Sequence, residues 1–282
     1  MTKRQRKVTG DCITYAVVVV LGFLFLFPFF YMVARSLMEN TESYSATGAF
    51  FPKSPTLDAY KSVMDGELLR YFKNTAIVIV CNCVGIPFSA ALCAYGFAKV
   101  KFEGSEIVFS CVLATMMLPS IVIQIPLYVI FYNMKWLGTL LPLIVPGFFG
   151  GGAVNIFLMR QFMRGIPNDL LNAAKIDGAN EFTIFLRLIF PLSMPIIVYV
   201  VVNTFLGAWN DFTGPLIYLQ GVPEKYTMAV GIYFKFMGGI SQRNYPNQQM
   251  AVGVLMLVPP CILFFIFQNQ LIEGVTMSGI KG

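Results

Sequence analysis

Residues 170–195 read LLNAAKIDGANEFTIFLRLIFPLSMP, a polar stretch in a chain that has little room for one. The chain has 282 residues, of which 57% are hydrophobic and 12% charged, against about 25% charged in an ordinary soluble domain. This composition identifies a membrane protein. Asn172, Lys175, Asp177, Asn180, Glu181 and Arg187 therefore need a setting outside hydrocarbon, and what flanks them decides the fold.

A helix crosses hydrocarbon with about 20 mainly apolar residues. Segments that meet this requirement run over 13–37, 72–100, 106–133, 137–163, 188–219 and 249–271, which predicts about six spans. The alternation of a barrel strand is missing, so backbone pairing in lipid requires helices. The expected fold is an all-α polytopic membrane protein. Residues 1–282 would form one transmembrane domain with a core over 72–271, an added N-terminal span at 13–37 and a polar loop at 164–187. The apolar run from Ile13 to Met38 is too long for a secretory leader and lacks a small-residue cleavage site, so it is expected to be a retained span.

The net charge of +6 is spread over the ends of the apolar runs and forms no stripe, which argues for membrane flanks and against nucleic acid. Lys3, Arg4, Arg6 and Lys7 are unopposed until Asp11 and place the N-terminus inside. An even number of spans then places the C-terminus inside as well, and the loop 164–187 on the cytoplasmic side between the fourth and fifth spans. Two segments fall outside: 39–72, rich in turn formers and then weakly helical, and 220–249, which mixes aromatics with Gly238 and Gly239.

Catalytic apparatus is lacking. There is no histidine, no G-x-x-x-x-G-K-[ST] phosphate loop and no acidic pair in a recognisable site. Cys12, Cys81, Cys83, Cys93, Cys111 and Cys261 lie mostly within apolar runs, where a thiol behaves as a small hydrophobe, and no metal site is expected. The glycines of GFFGGG at 147–152 are read as permitting close helix packing.

Polar residues within spans usually face a cavity or the bundle interior. Gln124, between Pro119 and Pro126, is expected at a bend in the third span. Asn203, Trp209, Asn210 and Asp211 lie near Gly207, Gly214 and Pro215 in the fifth. These five are the candidate translocation-pathway residues. Asp211 has a second reading, a structural carboxylate that caps a broken helix or meets a cation. Asn82 and Asn155 are candidates for interhelical hydrogen bonds.

Within the opening stretch, Pro167, Asn168 and Asp169 supply a helix start. Leu171, Ala174, Gly178, Phe182 and Phe185 then recur at three- and four-residue steps, which places them on one face. Ala173, Ala174 and Gly178 keep part of that region small, so another protein could approach the backbone. Gly178 weakens a helix by about 0.8–1 kcal/mol relative to Ala, which predicts two short helices joined by a bend. Composition alone is equally consistent with an amphipathic helix lying among lipid headgroups.

Asn172-Ala173-Ala174, three residues, Gly178, nine residues, then Leu188-Ile189-Phe190-Pro191 resembles the EAA loop of binding-protein-dependent ABC importer permeases. The family pattern is Glu-Ala-Ala, three residues, Gly, nine residues, Ile-x-Leu-Pro. The spacing is intact, with Asn172 in place of Glu, Leu188 of Ile and Phe190 of Leu. ALCAYGFAKVKFEG at 91–104, WNDFTGPLIYL at 209–219 and FQNQLIEGVTMSGIKG at 267–282 are similar to the carbohydrate-type subfamily of the maltose system, the MalG type. The resemblance implies a permease subunit of an ATP-driven carbohydrate importer in the bacterial cytoplasmic membrane. By the same resemblance, Asn172, Ala173, Ala174, Asp177, Gly178, Glu181 and Phe182 would contact a cytoplasmic ATPase. The implied partners are a second homologous permease, two ATPase subunits that bind ATP and Mg, an extracytoplasmic solute-binding protein and the lipid bilayer. This chain would hold no cofactor or metal and would not itself be an enzyme. Two other readings remain, a self-contained ion-coupled carrier and a membrane scaffold that docks a cytoplasmic enzyme.

Overall fold

In the computed structural model, residues 3–44, 50–237 and 245–279 are described, with side chains over 11–44, 50–237 and 245–268. Gly238 and Gly239 lie outside the described residues. Among the described residues the regular structure is helical and no strand occurs.

Among the described residues, four apolar stretches are long enough to cross a bilayer: Asp11–Ser36, Gly66–Lys99, Leu141–Arg164 and Pro246–Gln268. Two further crossings are bent pairs, Ser105–Met117 with Ser120–Asn133 at 100° and Glu181–Leu192 with Met194–Asn210 at 78°. Counting each pair as one span makes six, in agreement with the hydropathy reading.

Each bend has a local cause. Pro119 forces the preceding residue out of the helical region, and Leu118 is extended at φ −79° and ψ 120°. The third-span break therefore falls at 118–119, not at Gln124, which lies within the Ser120–Asn133 helix. In the second pair Pro195 has no backbone N–H to continue the preceding ladder. Ser193 there turns to φ −91° and ψ 8°. The expected span 188–219 thus begins before this bend, and its helix ends at Asn210 before the short Thr213–Tyr218 helix.

The fourth crossing is also interrupted, because Gly150, Gly151 and Gly152 have φ values of +86°, +64° and +91°. Only glycine adopts that run of left-handed backbone without steric cost. Closeness matters as well: a Cβ on Gly151 would lie 2.4 Å from the Ile86 carbonyl oxygen. Asn155 donates to the Gly151 carbonyl at 2.7 Å, a local bond, whereas Asn82 donates to Leu143 at 2.9 Å as an interhelical bond.

The chain divides into two compact units. One comprises Met1–Gly66 with Ile232–Pro260. In it, buried Asn247 donates to the Met38 carbonyl at 2.8 Å and to Asn40 Oδ1 at 3.0 Å, Ser36 bonds Tyr60 at 2.6 Å, and Lys235 pairs with Asp65. The other comprises Glu67–Gly231 with Cys261–Gly282. Its core holds Ala90, Ala94, Tyr95, Phe109, Met159, Met163, Ile184, Phe185, Ile189 and Val200. In the same unit Asn74 donates to the Glu224 and Tyr226 carbonyls, and Thr75 accepts from Met228 N at 2.8 Å. These bonds hold a segment expected as loop, in which Met228–Met237 is helical.

Candidate functional site

The loop 164–187 builds two short helices, Asn168–Ile176 and Glu181–Ile184. Pro167 precedes the first with no side-chain cap. Asn168, expected to cap it, instead accepts from Lys99 Nζ at 2.9 Å, and the same ammonium donates to the Ile166 carbonyl.

Gly178 ends the first helix at φ +82°. Its N–H bonds the Lys175 carbonyl at 3.0 Å, and Ala179 N–H bonds the Ala174 carbonyl at 3.0 Å. That pair of bonds is a Schellman motif, which satisfies the last carbonyls of a helix around a left-handed residue. Asn180 then caps the second helix by accepting from Thr183 N at 2.8 Å. The expected bend at Gly178 is therefore present, with its hydrogen bonds complete.

The apolar stripe is divided, with Leu171, Ala174 and Phe185 turned to the core and Gly178 and Phe182 left exposed. Leu171, Ile184 and Phe185 are buried, and Ala174 packs against the same core. The opposite side is open. Asn172, Ala173, Asp177, Gly178 and Phe182 are exposed, and Ile176, which sequence reasoning passed over, is 86% exposed. Nothing lies within 4 Å of a Cβ placed on Gly178. The segment thus presents a mixed apolar and polar surface while its other face is seated in the bundle.

Glu181 is exposed yet bonded on both sides. Lys175 Nζ lies 2.6 Å from Oε1, and the Tyr95 hydroxyl donates to Oε2 at 2.5 Å. Both partners favour the charged form of this carboxylate.

A second cluster joins the ends of three spans. Arg160, 3% exposed, pairs with Glu106, donates from Nε to the Phe97 carbonyl at 3.2 Å and lies 3.7 Å above the Phe109 ring. Arg164 reaches the same carboxylate at 2.7 Å. Sequence reasoning did not single out Arg160, Arg164 or Glu106 among the charges at the ends of the apolar runs. The apolar setting of Arg160 was the available signal that it had a partner, although sequence could not identify Glu106.

The five candidate pathway residues lie on two stretches, the Ser120–Asn133 helix and the Met194–Asn210 helix with the break that follows it. Gln124 is half-buried on the Ser120–Asn133 helix. Asn203 and Asn210, seven residues apart on one helical face, are exposed and donate to the Tyr199 and Leu206 carbonyls of their own helix. Trp209 is buried, stacked with Phe205 at 6.1 Å. Asp211 accepts from Gly214 N at 3.0 Å at the helix break, the geometry of its structural reading.

Residues 85–276 match the family described as "Binding-protein-dependent transport system inner membrane component". The chain is 31% identical over 271 residues to the arabinooligosaccharides transport system permease protein AraQ of Bacillus subtilis (strain 168), covering 93% of each. It is 28% identical over 281 residues to the galactooligosaccharides transport system permease protein GanQ of the same strain, covering 95% of each. A crystal structure of a bacterial ABC transporter involved in the import of the acidic polysaccharide alginate contains a chain of the same fold. The TM-score is 0.82 at 19% identity, over 95% of this chain and 98% of that one.

Proposed function

The chain belongs to the family of binding-protein-dependent transport system inner membrane components, and from that premise we infer that it is a permease subunit of an ATP-driven ABC importer for carbohydrate, a mono- or oligosaccharide. The relatives' substrates support the carbohydrate class. The observation that carries the mechanism is the two-faced loop 164–187. Leu171, Ala174, Ile184 and Phe185 seat one face in the bundle, while Asn172, Ala173, Ile176, Asp177, Gly178 and Phe182 leave the other open.

On this reading the loop is cytoplasmic, with both chain ends on the same side, and its open face docks on an ATPase subunit. Closure of two such subunits on ATP and Mg²⁺, both bound by those partners, moves the seated face and with it the spans, as a rigid-body switch. Ala174 takes part from beneath, as packing. Glu181 braces the bend. A second homologous permease completes the pathway, and a solute-binding protein delivers cargo outside, where residues 221–249 face it. Asn203, Asn210 and Gln124 supply the polar wall of the pathway, with Trp209 and Asp211 shaping the break behind it.

The test is to tag the chain in its native membrane, extract it gently and identify the co-purifying chains by mass spectrometry. A second permease and an ATPase are expected. Recovery of the chain alone, in a detergent that preserves such complexes, would favour a self-contained ion-coupled carrier.

A further inference from the structure

We propose that Tyr95 is the positioning residue through which displacement of the coupling loop is passed to the Gly66–Lys99 span, by way of its hydrogen bond to Glu181. The inference deepens the coupling reading above and rests on it.

Tyr95 is 3% exposed and its ring packs on Phe185 at 5.5 Å between centroids. Its hydroxyl meets Glu181, which also holds Lys175 across the Gly178 bend. One carboxylate therefore ties both short helices to the span. Bonds to an ionised acceptor are shorter and about twice as strong as neutral ones, and a buried hydroxyl left unpaired is costly, so the contact resists being pulled apart.

Lys99, four residues further on, lies on the same side of that helix and grips Ile166 and Asn168 at the other end of the loop. Two attachments on one face make a lever where one would make a pivot. Phe185 and Ile184, fully packed beneath, leave no slack between the loop and the span. Displacement of the loop thus reaches Gly66–Lys99 through side chains, although the loop is covalently joined only to the fourth and fifth spans. Lys99 bonds a backbone carbonyl and a side-chain amide. Among the described residues, Tyr95 connects the span to the segment beyond the bend through a charged group.

A structural role and a transmitting role predict opposite signs for ATP hydrolysis. If Tyr95 carries the stroke, closing the ATPases requires moving the span, and this restrains hydrolysis when no solute is present. In the complete purified complex in lipid vesicles, Tyr95→Phe keeps the ring and loses the bond. With ATP and Mg²⁺ alone it should raise basal hydrolysis by about tenfold, with the ATPase still bound. Unchanged or lowered hydrolysis with intact assembly would overturn the proposal. If Tyr95→Phe does not assemble, two Glu181 variants decide the matter. Glu181→Gln still accepts from Tyr95 but without the charge, and should raise hydrolysis less than Glu181→Ala does; equal rates would overturn the proposal. Absence of any ATPase from the unaltered complex would instead refute the parent reading.

Discussion

Replacing Gly178 by three different residues separates backbone strain from docking. At φ +82° an L side chain costs about 1–2 kcal/mol, a loss that a protein of about 5–15 kcal/mol stability survives. Among the described residues, apart from Gly178 and its chain neighbours, no atom lies within 4 Å of the added Cβ, so Ala and Trp should pay nearly the same cost in the isolated subunit. Asn, which tolerates left-handed backbone, should pay less. Thermal unfolding in detergent should therefore rank Asn above Ala, with Ala equal to Trp. Any further difference between Ala and Trp must come from what occupies the open space in the assembled transporter. Overfilling a packed contact costs about 1–3 kcal/mol, so Gly178→Trp should bind the ATPase about tenfold to a hundredfold more weakly than Gly178→Ala. Titration of purified ATPase onto vesicles carrying each variant reads this ratio. Equal binding by Ala and Trp would refute docking at this face.

Gly151→Ala combines φ +64° with a Cβ 2.4 Å from the Ile86 carbonyl. It should cost more than the Gly178 variants, about 3 kcal/mol or above, visible as loss of a monodisperse peak in detergent chromatography. Glu106→Ala leaves buried Arg160 without its carboxylate. Breaking a fully buried pair costs about 3–5 kcal/mol, but Glu106 is 68% exposed, so about 2 kcal/mol is expected in a denaturation midpoint.

Span number and fold class were legible because hydrocarbon imposes a length on apolar runs, and Gly178 was legible because a glycine among helix formers has few uses. The direction of the stripe was not. Periodicity places Leu171, Ala174 and Phe185 on one face but does not say whether that face meets a partner or the chain's own core, and the core claimed it. The bend near Gln124 was displaced because proline acts on the residue before it, here Leu118. The Arg160–Glu106 pair spans 54 positions and carries no periodic signal. Tyr95 reads as an ordinary aromatic within an apolar run until its hydroxyl is seen against Glu181.

The first helix has a consequence for the lipid around it. Its apolar part, Asp11–Ser36, has 26 residues, about 39 Å at helical rise, while the hydrocarbon layer measures about 30 Å. None of its most apolar window is buried within this chain, so the surplus is taken up by tilt, by bending at Pro28 or by local thickening of the bilayer. Each of these accommodations changes with acyl-chain length, which makes this helix a gauge of membrane thickness attached to the transporter.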